Sequence, residues 1–159
     1  HAKAYSPAIG DVVATSDQEA GTVDIVFIMA DGAKPGPEMI NGLKGYLQDK
    51  TIRPMTDLVN VSAPEEVPYT IGLTYYINRS DSAKAVTIQA AVAQAVADYQ
   101  TWQRAIGRDI NPSKLVAMVM EAGAKRVTVT APTYTAVAAT KVSALQGEAT
   151  VTYGGLEDD

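Results

Sequence analysis

Apolar residues recur along this chain with two different periods, and the switches between them mark its elements. From Thr22 to Ala30 the pattern alternates, with Val23, Ile25, Phe27 and Met29 on one side and Asp24, Val26 and Ile28 on the other. This predicts a strand with one face buried and the second partly so. Val12 to Thr15 is a shorter apolar-rich stretch, set apart by the polar, turn-like run from Ser16 to Gly21. The Gly and Pro content of Asp31 to Pro37 reads as a loop. Pro37 suits the first turn of a helix and Glu38 favours its dipole, with Met39/Ile40, Leu43 and Leu47 following at helical spacing. Gly42 and Gly45 each weaken that helix by about 1 kcal/mol relative to Ala, so packing must hold it. Leu58 to Ala63 reads as another short strand, with Val59 and Val61 on one face and Pro64 at its end.

The longest alternating row runs from Val67 to Ile77 through Tyr69, Ile71, Leu73 and Tyr75. Its opposite side carries Pro68, Thr70, Gly72, Thr74 and Tyr76, which predicts a face turned to water or a partner. After the break at Asn78 to Ser82, a helix is expected over Lys84 to Ile106, with a seam of Ile88, Val92, Ala95, Tyr99, Trp102 and Ile106. Gly107 is its expected stop. Asn111 as N-cap and Pro112 at the first helical position begin a second helix, closed by Gly123. Strands are expected around Val127 and Val129, and around Ala149, Val151 and Tyr153, before an acidic, frayed tail from Leu156 to Asp159. The expected fold is α+β, in two small subdomains with a seam near Pro64–Pro68. Residues 1–65 run β-β-α-β and residues 66–159 run β-α-α-β-β, with antiparallel or mixed sheets each covered by helices.

Composition narrows the chemistry. The 159 residues are 47% hydrophobic and 19% charged, which suits a globular chain and is too apolar for a disordered one. There is no Cys, and the single His is residue 1, which excludes disulfides, thiolate zinc sites, thiol nucleophiles and a buried Ser-His-Asp triad. A net charge of −5 argues against a broad nucleic-acid surface, and no membrane span or signal peptide is expected. Gly32 to Gly36 lies where a phosphate loop would, but it lacks the Gly-Lys-Ser/Thr pattern, and Pro35 removes an N–H that a phosphate would need. Asp24, Asp31 and Asp109 show no calcium-loop spacing, and Glu65 and Glu66 are adjacent on an extended, solvated segment that points them apart. Neither an enzymatic activity nor a cofactor or metal is expected.

The remaining candidates are contact residues. Arg104 and Arg108 share a helix face if the helix reaches that far, either as cations at the C-terminal end of the dipole or as a pair meeting an acidic neighbouring subunit. Tyr76, on the side of its strand opposite the core row, is an exposed aromatic of the kind enriched at interfaces. Tyr99 and Trp102 fall on the apolar seam and read as core.

A longer pattern begins at Arg53-Pro54-Met55-Thr56-Asp57 and continues through Val59, Val61, Ala63-Pro64, Val67-Pro68-Tyr69 and Ile71. It resembles a stretch of the baseplate J-like family of contractile phage tails. Gly21 to Val26, Gly107-Arg108-Asp109 with Pro112 to Leu115, and Ala122 to Val127 resemble further segments of that family in the same order, as do His1-Ala2 and Asp11-Val12. The region from Tyr134 to Leu145 is richer in Ala and Thr than the family pattern, which leaves its strand pairing open. The resemblance implies the C-terminal part of a longer protein, consistent with a first residue that is His1. It further implies a structural wedge subunit of a phage or prophage baseplate, or of a phage-derived injection particle. Its partners would be other wedge and hub proteins in a ring, its place the virion tail, and its assembly would occur in the bacterial cytoplasm. A ligand- or glycan-binding module using Tyr76 and the Asp31–Gly36 loop is the alternative. Arg53 and Asp57 are read either as a local ion pair bracing the turn before the next strand, worth roughly 0.3–1 kcal/mol, or as part of a subunit interface.

Overall fold

A computed structural model describes residues 2–49 and 58–159. Arg53, Asp57 and His1 therefore lie outside the described residues. The chain divides into two compact units. One comprises the described residues up to Glu66 together with Ala105–Gly107 and Ala138–Val142, and the other comprises Val67–Arg104, Arg108–Val137 and Ser143–Asp159.

In the first unit, a single helical turn α1 (Ala2–Tyr5) precedes β1 (Ile9–Asp17), β2 (Thr22–Met29), α2 (Pro37–Gln48) and β3 (Leu58–Ser62). The strands form one sheet in the order β1-β2-β3. β1 and β2 are antiparallel, with Val13 opposite Val26 and Ala14 opposite Ile25. β2 and β3 run parallel, with Val23 beside Val59 and Ile25 beside Val61. A parallel neighbour requires a crossover, and α2 supplies it. Its buried Leu43 and Leu47 pack with Ile9, Ile25, Phe27 and Val59, so the alternating side of β2 predicted to be buried is the core side.

α1 was not anticipated, and it accounts for one glycine of α2. A Cβ on Gly42 would collide with the Tyr5 hydroxyl, while the Tyr5 ring packs at a tilt against Tyr46 of the same helix, 5.4 Å between centroids. The weak helix former is thus the space into which α1 packs.

In the second unit, β4 (Glu65–Tyr69) leads into it and β5 (Gly72–Asn78) follows. After a 3₁₀ turn (Arg79–Lys84) come α3 (Ala85–Gln103), α4 (Pro112–Glu121), β6 (Arg126–Ala131), β7 (Lys141–Leu145) and β8 (Thr150–Glu157). The α+β class holds. The order expected for the second half does not, because the Val67–Ile77 row is two strands and β7 is an additional one. β4 pairs with β7, whereas β5 is the centre of a separate sheet in the order β6-β5-β8. At the break, the Gln146 N–H donates to the Tyr69 carbonyl at 2.8 Å and the Thr150 N–H donates to the Ile71 carbonyl at 2.9 Å. Side-chain alternation runs straight through this point: Tyr69, Ile71, Leu73, Tyr75 and Ile77 are all buried. Period reports which face is buried and says nothing about which strand supplies the hydrogen bonds.

α3 and α4 cover that buried face through Ile88, Val92, Val96 and Tyr99, and through Leu115 and Val119. The Asn111 side chain caps α4 by accepting from the Ser113 N–H at 3.0 Å, as its sequence position predicts. α3 ends at Gln103, not near Gly107. Gly107 lies in the following turn with φ +78, and its N–H donates to the Lys141 carbonyl at 2.7 Å. Ile106 therefore belongs to no helical seam, and the buried position after Tyr99 falls on Gln103. The tail also departs from expectation, since Leu156 and Glu157 complete β8. Glu65 and Glu66 lie in β4 and are ion-paired to Lys141 and Lys34, each at 3.2 Å.

Candidate interaction surfaces

The end of α3 is organised by one side chain. Gln103 has no solvent exposure, and every polar atom of its carboxamide is used. Its Nε2 donates to the carbonyls of Asp109 at 2.9 Å and Arg108 at 3.3 Å. Its Oε1 accepts from the Asn111 N–H and the Tyr99 hydroxyl, both at 3.0 Å. The Tyr99 hydroxyl also lies 3.1 Å from the Asn111 carbonyl, and burial pushes its pKa well above the usual tyrosine value. Ser143 Oγ donates to the Gln103 carbonyl at 2.9 Å. A buried polar group without partners is costly, so this full complement fixes the 108–111 backbone to the end of α3.

Two side chains presented by this frame were candidates from the sequence. Arg104 caps the helix end and donates from Nη1 to the Ser143 carbonyl at 2.7 Å. Burial pushes the Tyr69 hydroxyl up to about 12, and the positive charge of Arg104 draws it partly back. Arg108 follows the helix end, so the two arginines do not share a helix face. Its guanidinium instead sits 4.3 Å from the centre of the Trp102 ring and donates to the Trp102 carbonyl. Lys114, from the first turn of α4, places its ammonium 5.3 Å from the same ring. Trp102 is half-buried, and it rests against the Tyr99 ring at 6.1 Å between centroids. Sequence reasoning read Trp102 as core, and it does pack against the core cluster while half-buried, but Lys114 was not singled out.

Asp109, between these cations in sequence, is already occupied. Its carboxylate accepts from the Tyr134 hydroxyl at 2.5 Å and from the Val137 N–H at 2.8 Å, which holds its pKa below the usual carboxylate value. The Ile110 N–H donates to the Thr135 carbonyl at 2.8 Å, and the Thr135 N–H returns to the Ile110 carbonyl at 3.1 Å. This loop is a scaffold, with no open acid–base group.

The second surface is the face of the β6-β5-β8 sheet turned away from the helices. Thr74 stands beside Thr128 on one neighbour and Thr152 on the other, forming a row of three threonines across the sheet. Tyr76 lies on this face as the alternation predicts, but it is half-buried where exposure was expected. The Arg126 guanidinium covers its ring at 3.8 Å, and Gly154 of β8 lies so close that a Cβ there would overlap the ring. Arg126 is held by a two-point contact with Glu157, at 2.8 and 2.6 Å. Those hydrogen bonds lower the Glu157 pKa and raise that of Arg126. Arg126 over the ring and Gly154 beside it thus give Tyr76 its half-burial.

Among the described residues, no group of three His, Cys, Asp or Glu side chains gathers as metal ligands. No helix among them is long and apolar enough to cross a membrane. Asp31 uses its carboxylate to accept from the Ala33 N–H at 3.0 Å, closing the loop before α2 on itself.

The chain thus holds two small α+β units, with the polar side chains of Gln103, Asp109 and Glu157 spent on internal bracing. Residues 1–63 match the baseplate J-like central domain, and residues 70–153 match the baseplate J-like protein C-terminal domain. The chain belongs to the baseplate J-like family. It is 26% identical over 132 residues to baseplate protein J of Escherichia phage P2, a match that covers 83% of this chain. The same match covers 43% of that relative, so the chain spans less than half its length.

Proposed function

We propose that this chain is a structural subunit of the tail baseplate of a phage or prophage, acting through protein–protein contacts and without catalysis or a cofactor. The observation that carries this reading is the succession of a central and a C-terminal baseplate J-like domain over most of the chain. The use of Gln103, Asp109 and the Arg126–Glu157 pair as internal braces supports it, because these groups hold backbone in place and are not free to react. Its partners are other wedge and hub proteins, joined in a ring when the chain forms part of the complete subunit. Its place is the virion tail, reached after assembly in the bacterial cytoplasm. Residues 1–65 and 66–159 are proposed as the main bodies of the two domains. No observation favours a glycan-binding role, since the Tyr76 ring is occupied by Arg126 and Gly154.

The test is co-purification of the affinity-tagged chain from cells assembling tails, with the bound proteins identified by mass spectrometry. Recovery of identified baseplate proteins is the expected outcome. A preparation free of tail proteins, at expression levels matching the native subunit, overturns the reading.

A further inference from the structure

Most cations of the second unit have visible work. Arg79 pairs with Asp158 at 2.6 Å, Lys125 and Arg126 pair with Glu157, and Arg104 donates to a backbone carbonyl. Among the described residues, neither Arg108, which donates to the Trp102 carbonyl, nor Lys114 has a carboxylate partner, and the same holds for Lys84. Arg108 and Lys114 are both directed at one indole, which brings two like charges onto a single half-buried ring. Lys114 also stands in the first turn of α4, where the helix dipole disfavours a cation and no acidic side chain offsets it. The nearby Asp109 carboxylate is committed to Tyr134 and Val137. The result is a local positive site in a chain whose net charge is −5.

We propose that the Trp102–Arg108–Lys114 cluster docks an acidic segment of a partner protein, with carboxylates of that segment pairing with the guanidinium and the ammonium beside the indole. The proposal rests on the reading of the chain as an assembly subunit and adds the chemistry of one contact. Charge complementarity selects the occupant. A carboxylate relieves the repulsion between the two cations and supplies the anion that the start of α4 lacks. The partly desolvated Trp and Arg supply the kind of anchor that dominates interface energetics. The Gln103 carboxamide holds the Arg108 carbonyl at 3.3 Å, so the loop is set before the partner arrives.

Trp102 is the only tryptophan of the chain, so its emission reads the site directly. The probe is a hexaglutamate peptide, titrated into the full chain at low salt, with inorganic phosphate and a six-nucleotide oligothymidylate titrated in parallel. A saturable change in emission is expected with the peptide alone. It should weaken roughly tenfold in Lys114→Gln and vanish in Lys114→Glu, with Lys84→Gln unchanged, in line with paired charges across an interface. Arg108→Gln disturbs the support of the Trp102 backbone, so the lysine variants carry the test. Absence of any emission change up to about 1 mM peptide, a range that excludes even weak contacts, overturns the proposal. So does equal binding by Lys114→Glu, an equal response to phosphate, or tighter binding of the oligonucleotide. In the co-purification above, tail proteins recovered equally by wild type and Lys114→Glu overturn this contact alone, whereas none recovered by wild type overturns the assembly reading itself.

Discussion

Replacing Gln103 with Leu keeps the volume of a fully buried side chain and removes four hydrogen bonds at once. The Tyr99 hydroxyl retains the Asn111 carbonyl as a partner, and the 3.3 Å contact to the Arg108 carbonyl is long, so the main losses are the Asn111 N–H and the Asp109 carbonyl. Each orphaned buried group costs about 1–3 kcal/mol. The 108–111 loop is only partly buried, which admits some water and places each loss near the lower end of that range. A net destabilisation of about 1–2 kcal/mol follows, after allowing about 1 kcal/mol for the apolar gain of Leu. For a chain of this size, at roughly 3 °C per kcal/mol, that is a fall in Tm of about 3–6 °C. Thermal unfolding followed by Trp102 emission and by circular dichroism measures it. A Gln103→Leu protein melting within about 2 °C of wild type refutes the claim that this carboxamide anchors the loop. Gln103→Glu adds a pH signature. Burial and two facing carbonyls disfavour its ionised form, so its folded pKa rises above the unfolded value of about 4.3. Its extra penalty is therefore absent below that value and grows as pH rises through the folded pKa.

Gly42→Ala normally adds about 1 kcal/mol to a helix, but here the new methyl meets the Tyr5 hydroxyl. Gly42→Ala is thus expected to raise the urea midpoint less in the wild type, where the exposed Tyr5 ring must give way, than in Tyr5→Ala; an equal rise in both backgrounds contradicts the packing. Gly154→Ala is expected to displace the Tyr76 ring from Arg126 and to destabilise by about 1–3 kcal/mol, as overpacking does, which chemical denaturation measures. In alkali, Tyr69 should titrate near 12 in ultraviolet difference absorption. Its folded pKa lies above the ordinary 10, so its contribution to stability is complete below pH 10 and is lost between 10 and 12. Loss of the phase near 12 in Tyr69→Phe assigns it, Tyr99 being held higher still by its own burial, and a single phase near 10 in wild type contradicts the burial.

The parts of the fold legible in the sequence are those where one local rule acts alone. The alternation of Val23 to Met29 gave the core face of β2, and Asn111-Pro112 gave the start of α4. The boundary between β4 and β5 was invisible because the same alternation continues across it, while the hydrogen-bonding partners change. β7 was missed for the opposite reason: Val142 and Ser143 are consecutive and both buried, so no alternation exists to read. At the end of α3, hydropathy chose Trp102 as the next inward residue. The helix phase places Gln103 there, four residues after Tyr99, because its polar atoms find partners in the loop that follows. The Arg108–Trp102–Lys114 cluster joins a helix end, a loop and the next helix, and no spacing rule spans such a break. Tyr76 was placed on the correct face, yet its cover comes from Arg126 and Gly154, both far along the chain.

Two short pieces, Ala105–Gly107 and Ala138–Val142, belong to the first compact unit although they lie deep in the second half of the sequence. Ile106 donates its N–H to the Asp11 carboxylate at 2.8 Å within that unit. Neither unit is consequently a single length of gene. One crossover in the coding sequence near residue 66 transfers the first unit without those two pieces and the second with two foreign ones. Exchange between relatives at that junction carries a built-in incompatibility, and the two units are expected to be inherited as a pair.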